Sequence, residues 1–177
     1  MMNKTELNEQ EVIRRNSYEE IVKLGINPYP AKEYKINANS EEIIKNFNSE
    51  KNNFQNISIA GRIMSRRIMG KASFIEIQDS HGRIQVYLNR DIICPDEDKT
   101  LYNVVFKKYL DIGDIVGIEG DAFITKVGEI SVRTNKLTIL CKSIRPLPIV
   151  KEKDGKIYDA FQDPDLRYRQ RYLDLIV

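Results

Sequence analysis

Between Asn56 and Asn89 the chain alternates apolar and polar residues with a period of two, interrupted only at two short turns. In the first run, Asn56 to Arg66, Ile57, Ile59, Gly61 and Ile63 fall on one side and Ser58, Ala60, Arg62 and Met64 on the other. Gly70 follows, where a residue free to take positive φ lets the chain reverse. In the second run, Lys71 to Asp79, Ser73, Ile75 and Ile77 share one face, while Ala72, Phe74, Glu76 and Gln78 share the other. After the turn Asp79-Ser80-His81-Gly82, the third run, Arg83 to Asn89, sets Ile84, Val86 and Leu88 against Gln85 and Tyr87. This alternation predicts strands. An isoleucine face backed by a charged face that carries an aromatic predicts a sheet buried on one side only.

The rest of the chain supplies the partners for such a sheet. Thr5 to Leu24 reads as helical, with Leu7, Val12, Ile13, Ile21, Val22 and Leu24 as its apolar set and Gly25 as its stop. Ser17 with Glu20 three residues on suggests a capping box, and hence two helical pieces broken near Asn16. Asn27-Pro28-Tyr29-Pro30 is an extended linker, because each proline holds its predecessor out of the helical region. A short helix is expected from Asn39 through Phe47, then a polar loop from Asn48 to Asn56. Beyond the three strands, Arg90 to Lys99 reads as an irregular loop and Thr100 to Leu110 as a helix. A fourth strand, Ile115 to Thr125, turns at Lys126-Val127-Gly128-Glu129 into a fifth, Glu129 to Cys141.

Three strands, a helix and two more strands is the order of an all-β OB-fold, a five-stranded Greek-key barrel with one helix between strands three and four. The N-terminal helices precede it. Gly61, Gly117 and Gly120 suit the sharp bends that a small barrel needs. The expected organisation is a helical extension over 1–55, the OB domain over 56–145, and a linker with the start of a further domain over 146–177. Lys151 to Asp165 reads as a hydrophilic loop and Arg167 to Val177 as a helix.

Composition narrows the function classes. Hydrophobic residues make up 41% and charged residues 31%, as in a soluble globular chain. No apolar run reaches membrane-spanning length, and Met1 to Gln10 has no signal-peptide core, so a cytoplasmic protein is expected. One histidine and two isolated cysteines, Cys94 and Cys141, do not make a typical zinc site. The net charge is only +2, but its distribution is uneven. Between Asn56 and Arg90 stand Arg62, Arg66, Arg67, Lys71, Arg83 and Arg90 against Glu76 and Asp79 alone. A local anion-binding surface and a solvated strand face explain that gathering equally well. OB-folds bind single strands on the face of strands two and three, flanked by the loops after strands one and four. Arg66, Arg67, Phe74, Gln85 and Glu129 all fall there. A flat aromatic among cations is the usual equipment for stacking an unpaired base.

The run from Ala60 to Phe74, Ala-Gly-Arg-Ile-Met-Ser-Arg-Arg-Ile-Met-Gly-Lys-Ala-Ser-Phe, resembles the N-terminal anticodon-binding domain of bacterial-type class II lysyl-tRNA synthetases. Gly82-Arg83-Ile84-Gln85-Val86-Tyr87, Phe106-Lys107-Lys108, Gly128-Glu129-Ile130-Ser131 and Arg145-Pro146-Leu147-Pro148 extend the resemblance. The segment from Leu166 to Val177 resembles that family's entry into its catalytic domain. The resemblance implies that Phe74 stacks the central anticodon base while Arg67, Gln85 and Glu129 hydrogen-bond its edge. Arg62, Arg66 and Lys71, and Arg14 and Arg15 on the first helix, read as phosphate contacts or as solvated charges. It further implies a tRNA partner specific for lysine, no membrane partner, and a homodimeric parent enzyme that uses ATP and magnesium. The chain itself would carry no catalytic residue and no cofactor. Two other readings stay open: a generic single-strand-binding OB module, and an OB domain whose face meets a protein. The stretch after the barrel weighs against both.

Overall fold

The computed structural model describes residues 7–148, 151–153, 156–158 and 164–176. They divide into two units, Met1–Ile144 and Arg145–Val177. The first holds strands β1 (Ile57–Met69), β2 (Ala72–Gln78), β3 (Arg83–Asn89), β4 (Ile115–Ile124) and β5 (Ile130–Cys141). Their order, β1-β2-β3-β5-β4, closes into a ring because β4 pairs back onto β1, with Ile57 opposite Gly120 and Arg62 opposite Ile115. Every pairing is antiparallel except β3 with β5, which is parallel.

The period-two phases of the first three strands hold residue by residue. Ile59, Ile63, Ile75, Ile77, Val86 and Leu88 are buried inside the ring with Val116, Ile118, Val132 and Ile139. Each such side chain contributes about 1.5–3 kcal/mol relative to leaving it in water. β1 runs three residues further than the alternation suggested, to Met69, and Gly70 turns it at φ +62°. Gly117 serves a close approach rather than a bend: the Tyr34 ring occupies the place a Cβ would take. Gly120 lies at the bulge where the β4–β5 register shifts.

Two helical segments join β3 to β4 where one was expected. α3 (Arg90–Ile93) is a single turn capped by the Asn89 side chain. The second, Leu101–Tyr109, is a π-helix, and the Leu110 N–H donates to the Val105 carbonyl five residues back. Its Tyr102, Val105 and Phe106, with Leu110, are fully buried. The Tyr102 hydroxyl donates to the Gly70 carbonyl and shares a hydrogen bond with Ser73 Oγ at 2.7 Å. The helix therefore anchors the turn between β1 and β2.

On the N-terminal side, α1 (Glu9–Lys23) is one continuous helix. It is capped by a reciprocal pair: Glu11 N–H donates to Asn8 Oδ1 at 2.8 Å and Asn8 N–H to Glu11 Oε2 at 3.2 Å. The expected break near Asn16 does not occur, because Ser17 is buried in mid-helix beside Ile21. Of the expected apolar set only Ile21 is buried. Val12 and Ile21 are nine residues apart, which at 100° per residue puts them on opposite faces. α2 (Ser40–Asn46) begins at Asn39, whose side chain accepts from Glu42 N–H.

Asp79, in the β2–β3 turn, ties α2 to the sheet. Its carboxylate accepts from Ser40 N–H at 2.7 Å, Ser40 Oγ at 2.6 Å, His81 N–H and Gly82 N–H. Burial pushes this carboxyl up, but those hydrogen bonds outweigh it and hold it below its ordinary value of 3.8. A depressed folded-state value stabilises fully above 3.8 and loses that contribution as the pH falls through the folded value. Asp79→Asn is expected to lower stability at neutral pH by about 1–2 kcal/mol. In urea melts the gap to the parent chain should narrow as the carboxylate range is entered. A gap that stays constant with pH would show that the charge contributes nothing.

In the second unit, β6 (Lys151–Lys153) and β7 (Lys156–Tyr158) pair as an antiparallel hairpin within the expected loop. α4 (Pro164–Arg169) and α5 (Arg171–Asp174) replace the single expected helix. Asp174 accepts hydrogen bonds from both Arg167 and Arg171. No helix among the described residues is long and apolar enough to cross a membrane.

Candidate nucleic-acid interface

The alternation that buries Ile75 and Val86 turns Phe74, Gln85 and Tyr87 to the outside of the ring. Cross-strand register then sets them in rows. Arg67 on β1 stands opposite Phe74 on β2, Phe74 opposite Tyr87 on β3, and Tyr87 opposite Arg133 on β5. The adjacent row places Glu76 opposite Gln85 and Gln85 opposite Ser131. The Phe74 and Tyr87 rings lie 5.2 Å apart, and Phe123 of β4 meets Tyr87 edge-on at 6.1 Å. Three aromatics thus floor an open cleft of about 690 Å³.

The hairpin between β4 and β5 forms one wall. Thr125 N–H donates to the Glu129 carbonyl, Glu129 N–H to Thr125 Oγ1, and Gly128 takes φ +89° between them. Those bonds fix where Glu129 leaves the turn. Arg67, Phe74, Gln85 and Glu129 all line the cleft, so the structure brings the four expected base-contacting residues together. Gln85 Nε2 donates to Ser131 Oγ at 3.1 Å, which orients the amide. Among the described residues, the Arg67 and Arg133 guanidinium groups and the Glu129 carboxylate make no hydrogen bond or ion pair with protein. Arg133 instead lies over the Phe123 ring, 4.8 Å from its centre.

The other basic candidates divide. Arg66 donates to the carbonyls of Phe106, Lys107 and Leu110, satisfying the end of the π-helix. Arg62 donates to the Gly113 carbonyl at 2.8 Å. Arg14 is buried and donates to the Ile112 and Ser143 carbonyls, locking α1 onto the ring. For these three, backbone carbonyls of the fold accept from the guanidinium groups. Arg15 and Lys71 are exposed. Tyr87, Phe123 and Arg133 were missed as site residues. Tyr87 shares the strand phase of Gln85 and could have been found from it, whereas Phe123 and Arg133 enter only through the pairing of distant strands.

Aromatic surface beside unpaired cations, on the outside of a closed five-stranded sheet, is the equipment with which single-strand-binding modules stack a base. Residues 57–146 match the family described as the OB-fold nucleic acid binding domain, under the tRNA anticodon heading, and the chain belongs to that family. More particularly, the chain is 61% identical, over 99% of its length, to a lysine–tRNA ligase of Porphyromonas gingivalis. It is 57% identical over 97% of its length to that of Azobacteroides pseudotrichonymphae, and 54% identical over 97% to that of Christiangramia forsetii. It spans 31%, 34% and 30% of those three relatives, about a third of each.

Proposed function

We propose that this chain is the anticodon-binding part of a lysine–tRNA ligase and that its cleft reads a uracil-rich anticodon. The observation that carries the reading is the half-exposed Phe74 ring with two unpaired, oppositely charged groups, Arg67 and Glu129, in the same cleft. The pairing edge of uracil offers an acceptor, a donor and an acceptor. Arg67 supplies donors to a uracil oxygen, the Glu129 carboxylate accepts from the imino N–H, and the Gln85 amide serves either role. Cytosine carries a lone pair where uracil carries that proton, so the Glu129 carboxylate meets an acceptor and is left unsatisfied.

In this reading the ring is a five-stranded Greek-key barrel, residues 1–55 form its helical extension, and 146–177 lead on toward a catalytic domain. The intact protein joins lysine to its tRNA as a cytoplasmic homodimer. ATP and magnesium act there in the part of the relatives that this chain does not span. The described residues gather no cluster of three or more His, Cys, Asp or Glu side chains able to hold a metal ion.

Two substitutions test the division between base readout and backbone attraction. Arg67→Ala is expected to cost about 1–3 kcal/mol, and to do so at one base, by eroding the preference for uracil over cytosine. Lys71→Ala is expected to weaken all sequences evenly and to reduce the salt slope by about one. Titrations of labelled hairpins at two salt concentrations separate these outcomes. An even loss in both variants would reduce the cleft to a basic surface and favour a generic single-strand-binding module.

A further inference from the structure

Ser131 is fully buried, yet it joins two residues that line the cleft, Gln85 and Glu129. Its strand phase, opposite to that of the inward Val132, turns it to the outer face of β5, and the parallel ladder sets it opposite Gln85. Gln85 Nε2 donates to Ser131 Oγ at 3.1 Å, and Ser131 Oγ donates to the Glu129 carbonyl at 3.4 Å. A carbonyl only accepts and a hydroxyl carries one proton, so this chain of bonds runs in one direction. Ser131 gives its proton to Glu129 and must accept from the amide. We propose that Ser131 is a positioning residue for base selection, which locks the polarity of the Gln85 amide. The proposal rests on reading the cleft as a site for the edge of uracil.

Turned over, the Gln85 amide would set Oε1 against an oxygen whose proton is already committed, leaving two acceptors face to face. The edges of the two pyrimidines differ in the same sense: uracil carries an accepting oxygen where cytosine carries a donating amino group. An amide free to turn over pairs with either edge, whereas a locked amide pairs with one. Removing the Ser131 hydroxyl leaves Glu129 in place. Its carbonyl still accepts from Thr125 N–H at 2.9 Å, and its own N–H still donates to Thr125 Oγ1 at 3.0 Å. The effect of Ser131 on base choice therefore passes through Gln85 rather than through the hairpin.

The test uses the whole chain with labelled UUU and UCU hairpins, and compares Ser131→Ala, Gln85→Ala and the double variant. Ser131→Ala is expected to lower the UUU-to-UCU affinity ratio about 2- to 13-fold, the worth of one hydrogen bond, with UCU bound more tightly than by the parent. Damage to the fold would instead weaken both hairpins. In the Gln85→Ala background the serine substitution should leave the ratio unchanged. Ser131→Thr keeps the hydroxyl and should keep the parent ratio, with the melting temperature of each variant read on the same samples. The proposal is overturned if Ser131→Ala keeps the parent ratio, if UCU binding does not tighten, if the effect persists without Gln85, or if a folded Ser131→Thr chain loses the ratio. A parent chain that binds both hairpins equally would overturn the edge-readout reading, and this proposal with it.

Discussion

Lys142→Met is expected to destabilise the chain by about 3–5 kcal/mol, the usual consequence of leaving a buried charge without its partner. The Lys142 side chain is fully buried at the end of β5. Its Nζ donates to Asp111 Oδ2 at 2.7 Å and to both Asp114 oxygens, at 2.9 and 3.2 Å. Asp114 is fully buried too, and accepts from the backbone N–H groups of Asp111 and Ser143. Burial pushes the Asp114 carboxyl up against the pull of Lys142 and those two N–H groups. Methionine keeps most of the stem volume of lysine, so the loss reports the charge rather than a cavity. The same residue's backbone binds the N-terminal linker, through its N–H to the Pro28 carbonyl and its carbonyl to the Tyr29 hydroxyl. Urea denaturation measures the effect. Adding Asp114→Asn to Lys142→Met should recover part of the loss, because the amide carries no charge to leave unpaired and its one oxygen still accepts from one of the two N–H groups. A Lys142→Met chain that unfolds at the parent's midpoint would show that this cluster contributes no stability.

Phe74→Ala is expected to act on binding and spare the fold. The ring sits half-exposed on the outer face of β2, while its neighbours Ser73 and Ile75 are buried inside the ring of strands. Losing an outward aromatic from a strand costs within about 1 kcal/mol of β propensity and cross-strand packing. Losing a stacked base costs about 1–3 kcal/mol of affinity, or 5- to 150-fold. Hairpin binding and the melting temperature, measured on the same sample, separate the two. Weak binding with a preserved melt is the expected result. A collapsed melt would place Phe74 among the structural residues.

These two residues also mark how much was legible beforehand. Phe74 was visible because alternation of period two, between turns that glycine can make, fixes which side chains leave the sheet. The same rule delivered Gln85, and the hairpin signal delivered Glu129. Lys142 was invisible, since its partners lie 28 and 31 residues away and nothing local distinguishes a buried lysine from a solvated one. The carbonyl partners of two arginines were hidden for the same reason. Arg66 and Arg62 look like surface charges beside Arg67, and their carbonyl partners lie 40 or more residues on. The π-helix was read as an ordinary helix on an apolar stripe of Leu101, Val104, Val105 and Tyr109, of which only Val105 is buried, with Tyr102 and Phe106 buried beside it. Phe123 and Arg133 required the β4–β5 and parallel β3–β5 registers, which no single stretch of sequence encodes.

The proposed function stands or falls on whether the cleft reads the edge of an unpaired uracil. Fluorescence anisotropy with a UUU hairpin against a UCU hairpin, at low and at raised salt, tests it most directly. Edge readout by Arg67, Gln85 and Glu129 over a Phe74 stack predicts a preference for UUU that survives the added salt. Equal binding of both hairpins that fades together with salt would contradict it, and would leave phosphate attraction as the whole of the interaction.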